Sequence, residues 1–149
     1  GSYEEIADIL RKIPVDHLTQ ALSDYFKSVV VCMCLKNGDA HLKNFGVLYD
    51  DVTKVALAPV YDIVTTTVYM PKDLPALTME DKKIWPDLET LSRFGEQHCL
   101  LKPREVKQIF EQVNSAIAAT IPELRAYASS NPKYQQLSEA LINQWTRNI

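Results

Sequence analysis

Apolar residues Ile6, Ile9, Leu10 and Ile13 recur three and four apart near the start of the chain, which predicts an amphipathic helix. Ser2, with Glu5 three residues on, supplies a capping box for its first turn. Pro14 ends it, because the residue before a proline is driven out of helical backbone. Asp16 is then expected to cap a second helix carrying Leu18, Ala21, Leu22, Tyr25, Phe26, Val29, Val30 and Met33. From Val29 to Leu35 this segment is apolar on every side, the mark of a helix buried centrally. Asn37-Gly38 is a strong breaker pair and stops it.

The pattern then changes period. "NFGVLYD" and "KVALAPVYD" are short, β-rich and joined through "DDVT", which predicts a hairpin with Asp50 and Asp51 at its tip and Pro59 closing the second strand. About two dozen residues with three prolines follow, read as an irregular crossing segment with a short strand at 76–79. Helical spacing returns in "DLETLSRFGEQHCL", with Leu88, Leu91, Phe94 and Cys99 on one side. Pro103 opens the next helix, striped by Val106, Ile109, Phe110, Val113, Ile117 and Ile121, with Pro122 bending or restarting it. A last helix runs from Pro132 with Tyr134, Leu137, Leu141 and Trp145 facing inward. The fold class is mainly α (α+β): one domain over 3–149, Gly1-Ser2 being read as a cloning remnant.

Composition narrows the class of function. With 149 residues, 46% hydrophobic and 23% charged, the chain is an ordinary soluble globular domain. A net charge of −3 provides no overall basic field for nucleic acid or an anionic membrane surface. No run approaches the roughly 20 apolar residues of a membrane span, and no signal peptide is visible. Cys32, Cys34 and Cys99 lack the spacing of a zinc site and read as small buried residues in a reducing, cytoplasmic compartment. His17 and His98 receive no chemistry, and Trp85 and Trp145 read as packing residues.

The chemistry concentrates in "NGDAHLKNFGVLYDD". Taken singly, its residues have ordinary explanations: Asn37-Gly38-Asp39 as a turn, His41 as a structural histidine, Lys43 as a solvated cation. Their conjunction matches phosphoryl transfer. There an Asp orients the attacking hydroxyl and accepts its proton, an Asn five residues later holds magnesium, and a second Asp beyond a hairpin completes the metal site. Asp39, Asn44 and Asp62 fill those places. Magnesium takes hard oxygen donors and few protein ligands, which suits an amide and a carboxylate. His41 and Lys43 supply positive charge for the departing phosphoryl group; Lys43 either contacts phosphate or pairs with a nearby carboxylate.

This loop, followed by "LAPVYDIV", resembles the catalytic loop and metal-binding segment of the HipA family, serine/threonine kinases that act as toxins of bacterial toxin–antitoxin modules. The resemblance is specific from Asn37 to Val64 and looser over 16–147. It implies the helical C-terminal lobe of a protein-kinase-like fold, with ATP and Mg2+ as cofactors. By that resemblance Asp39 is the catalytic base, Asn44 and Asp62 the metal ligands, and the partners are a protein substrate, an N-terminal kinase lobe and a DNA-binding antitoxin. The four glycines are scattered and no β-rich nucleotide lobe precedes the loop. The chain is therefore expected to be the C-terminal lobe alone, with little activity in isolation. Two further readings stand beside this one: a phosphoinositide or small-molecule kinase lobe, and a pseudokinase or interaction module.

Overall fold

The computed structural model describes residues 1–51 and 53–146. Its elements in order are α1 (Tyr3–Lys12), α2 (Leu18–Cys34), β1 (Val47–Asp51), β2 (Lys54–Leu57), α3 (Leu88–Gln97), α4 (Pro103–Ser130) and α5 (Gln135–Thr146). Single 3-10 turns sit at Leu42–Asn44, Thr66–Val68 and Pro132–Tyr134. The described chain is mainly helical with one antiparallel hairpin, as its periodicity predicts.

The capping box of α1 is formed: Glu5 N–H donates to Ser2 Oγ at 3.2 Å, and Ser2 N–H donates to Glu5 Oε2 at 2.9 Å. Tyr3, Ile6, Ala7 and Leu10 are its buried face, and Ile9 falls off that face at 55% exposure. Asp16 does not cap α2. His17 takes that position with φ 54°, in the left-handed region, and no side chain caps the helix. The reason is tertiary: Val15 bridges Val55, and Asp16 N–H donates to the Val55 carbonyl at 2.7 Å. The linker thus follows the hairpin instead of turning directly into the helix.

Helix α2 is the axis of the core, with Tyr25, Phe26, Val29 and Val30 wholly buried. Helices α1 and α4 pack on it, and α3 and α5 pack on α4. A Cβ at Gly95 would lie 2.9 Å from two Phe26 ring atoms and 3.0 Å from Val106 Cγ2, so glycine permits α3 to come this close. Phe45 leans edge-on against Tyr25 and Tyr3 at centroid distances of 5.4 and 6.2 Å. It therefore anchors the chain just beyond Asn44 in the aromatic core.

Several expectations change. Asp50 and Asp51 belong to β1, and Asp51 Oδ1 accepts the Thr53 N–H at 2.7 Å; Val52 and 147–149, assigned to the hairpin turn and the last helix, lie outside the described residues. The expected strand at 76–79 reduces to isolated bridges, Ser2 with Thr78 and Met79 with Lys82. Leu88 is 60% exposed because α3 begins there, capped by Asp87 accepting the Thr90 N–H at 2.8 Å. Helix α4 runs through Pro122 without restarting. In α5 the buried residues are Ser138 and Ile142, while Tyr134 lies outside, packed on Tyr127. All three cysteines are free and buried. Among the described residues no helix is long and apolar enough to cross a membrane.

Candidate functional site

The loop leaves α2 in a strained turn, with Lys36 at φ 57°. Beyond it burial alternates: Asp39 and His41 are exposed on either side of Ala40, which is 1% exposed. This alternation presents both polar side chains outward while their shared neighbour fixes the backbone. The His41 N–H donates to the Asp39 carbonyl at 2.8 Å and to Asn44 Oδ1 at 3.0 Å. A single 3-10 turn then carries Lys43 and Asn44.

The hairpin returns the chain to the same place. Val47 pairs with Leu57, and Ala58 N–H extends the ladder to the Gly46 carbonyl at 2.9 Å. Asn44 lies two residues before this closing pair and Asp62 four after it. Their side chains meet: Asn44 Nδ2 donates to Asp62 Oδ2 at 3.0 Å. Asp62 sits at φ 57°, a left-handed conformation that Asp tolerates better than most residues but that still stores strain of about 1–3 kcal/mol.

Of the five residues singled out in the sequence, the fold thus brings Asn44 and Asp62 into contact. Asp39, His41 and Lys43 lie on the adjoining loop with exposed side chains. Among the described residues no carboxylate forms an ion pair with Lys43. Two residues had no role in the sequence reading, although Tyr61 stands beside Asp62 in the matched motif. The Tyr61 hydroxyl donates to the Lys43 carbonyl, tying the turn to the segment that bears Asp62. Thr66 Oγ1 accepts the Gly38 N–H at 2.9 Å and donates to the Lys36 carbonyl at 3.2 Å. Neither had a signal in local spacing, since each acts only after the hairpin folds the chain back.

The donor set suits magnesium. Asn44 Oδ1 and the Asp62 carboxylate are hard oxygens, one half-buried and one exposed; here Asn44 turns its Nδ2 to Asp62 and its Oδ1 to the His41 N–H, so an ion held by both residues requires the amide to rotate. Among the described residues no group of three or more His, Cys, Asp and Glu side chains would hold an ion unaided. One carboxylate and one amide are what a magnesium ion needs when nucleotide phosphates and water complete its shell.

A HipA-like C-terminal domain family matches residues 1–121. A Haemophilus influenzae protein named "Putative kinase" is 35% identical over 68 residues, 46% of this chain and 20% of that protein. The Sinorhizobium fredii "Putative kinase Y4dM" is 31% identical over 84 residues, 56% of this chain and 20% of its own length. From the same organism, "Putative kinase Y4mE" is 31% identical over 68 residues, 46% of this chain and 16% of its own. The matched stretches span a fifth or less of these relatives.

Proposed function

The chain belongs to the HipA-like C-terminal domain family, and from that membership we propose that it is the catalytic lobe of an ATP-dependent serine/threonine protein kinase. The kinase names of its relatives support phosphoryl transfer at the level of the reaction class. The observation that carries the reading here is the contact of Asn44 with Asp62 beside the Asp39 loop.

Asp39 orients a substrate hydroxyl and accepts its proton as the hydroxyl oxygen bonds to the γ-phosphorus. The bond from that phosphorus to the bridging oxygen breaks, and ADP leaves. Asn44 and Asp62 would hold Mg2+, which would supply charge neutralisation to the nucleotide phosphates. His41 and Lys43, both exposed and on the same loop, offset charge on the transferred group.

The acceptor is a protein hydroxyl, and the setting is a bacterial toxin–antitoxin module in the cytoplasm, with a DNA-binding antitoxin as partner. An N-terminal lobe covers the site; exposed Val60, Tyr61, Ile63 and Val64 around Asp62 form an apolar strip suited to such a cover. The 149-residue chain alone is accordingly expected to transfer little phosphate.

The test is Asp39→Asn in the full-length protein. Its carboxylate is exposed, so folding should be unchanged while phosphate transfer from ATP and growth inhibition both fall by about a hundredfold or more. Transfer at the wild-type rate would remove Asp39 from the chemistry.

A further inference from the structure

Asn37 lies at the end of α2, where a turn residue would need nothing more than local hydrogen bonds. It is only 1% exposed, and its amide is fully engaged. Oδ1 accepts the Asp39 N–H at 3.2 Å, a local bond that a turn explains. Nδ2 donates to the Asp62 carbonyl at 3.3 Å, across 25 residues, and contacts Cys32 Sγ at 3.8 Å. The bond to Asp62 is not required by any turn. One buried side chain therefore grips the backbone of both carboxylate-bearing residues of the site.

The grip falls where it has an effect. Asp62 is held in the left-handed region at φ 57°, and such a conformation persists only when neighbours over-determine it. Two contacts do so, Asn44 Nδ2 on its side chain and Asn37 Nδ2 on its carbonyl. Without the second, the peptide is free to relax toward extended backbone and carry Oδ2 away from Asn44. We infer that Asn37 is a positioning residue that sets the register between Asp39 and Asp62. This rests on the reading of the site as a phosphoryl-transfer centre.

Two variants of the full-length protein separate the halves of the role. Asn37→Asp keeps an acceptor for the Asp39 N–H but loses the donor and places an oxygen against the Asp62 carbonyl. The Mg2+ concentration for half-maximal rate should rise about tenfold, with kcat at saturating Mg2+ changed little, as is usual when a partner behind a metal ligand is lost. Asn37→Ala frees both backbones and should also lower kcat about tenfold or more. A residue that only ends a helix would reduce the folded fraction and leave both constants at wild-type values per folded molecule; that result overturns the inference. Should the variants fold poorly, amide exchange in the wild-type protein decides it. The Asn37 side-chain NH2, engaged by the Asp62 carbonyl and Cys32 Sγ, should exchange slowly, and fast exchange would sink the geometry. An inactive full-length wild type refutes the kinase reading and this inference together, whereas an active one with unmoved variants sinks the inference alone.

Discussion

Trp145 Nε1 donates to Thr65 Oγ1 at 2.9 Å, joining the last helix to the segment three residues beyond Asp62 across 80 positions of sequence. Thr65 is 7% exposed, so the indole is part of what satisfies its hydroxyl. Trp145→Phe retains much of the apolar contact and deletes the donor. A loss of about 1–2 kcal/mol is expected, read from the midpoint of urea unfolding at unchanged slope. A double-mutant cycle with Thr65→Val should show coupling of roughly 0.5 kcal/mol or more. Strictly additive losses would mean that the bond does not form in solution.

Gly38 is required for space and not for a left-handed turn, since no glycine has positive φ. A Cβ there would stand 2.1 Å from Asp73 Oδ2 and 2.8 Å from Thr66 Oγ1. Thr66 is fixed by its bonds to Lys36 and Gly38, so the collision cannot be relieved on that side without loosening the site. Gly38→Ala should cost about 1–3 kcal/mol. Adding Asp73→Ala should recover part of it in thermal melts. If Gly38→Ala alone melts at the wild-type temperature, the packing of Asp73 over the loop is wrong.

What the sequence made legible was local or motif-borne. The Ser2–Glu5 cap depends on three residues of spacing, and α2 declares itself by an unbroken apolar run. The spacing of Asn44 and Asp62 across a hairpin predicted that the two would meet, and they do. Several of the failures share a cause. His17 displaces Asp16 because Val15 pairs with Val55, a residue of the hairpin. Tyr61, Thr66 and the amide of Asn37 gain their roles from bonds across 18 to 30 residues. Such contacts leave no trace in periodicity, because they use single polar atoms and not a face.

Burial pushes the thiols of Cys32 and Cys99 up to about 11 and about 12, from an ordinary value of 9.0. In the unfolded chain both ionise near 9, so between pH 9 and 12 the unfolded state holds fewer protons than the native one. Stability is then lost as pH rises, with these groups contributing no pH dependence below that window. Tyr25, raised by its burial from an ordinary value of 10.0, acts in the same direction from about pH 10 upward. Urea unfolding at pH 8, 9.5 and 11 should show a progressive fall, and Cys32→Ala with Cys99→Ala should flatten it. The native thiols should also resist iodoacetamide at pH 8.5. Rapid alkylation of folded protein would contradict their burial.

Pro122 lies inside α4 and is exposed. A proline there lacks the N–H that would reach the carbonyl of Ala118, and its ring crowds that carbonyl. Relative to alanine this costs about 3 kcal/mol in a helix interior. The opposing term is smaller: proline restricts the unfolded chain, and removing it returns about 0.4–1 kcal/mol of entropy to that state. No buried contact is lost on truncation. Pro122→Ala should therefore stabilise the protein by roughly 1–2 kcal/mol, raising the melting temperature by several degrees. The competing possibility is that the packing of α5 on α4 needs a bend at this point, since Ala128 alone among the α4 residues after Pro122 is buried. That alternative predicts the opposite sign, a lower melting temperature, with weakening of the 3.5 Å bond from Ser138 Oγ to the Leu124 carbonyl. The direction of the shift separates the two, and the size of the helix-interior penalty favours the rise.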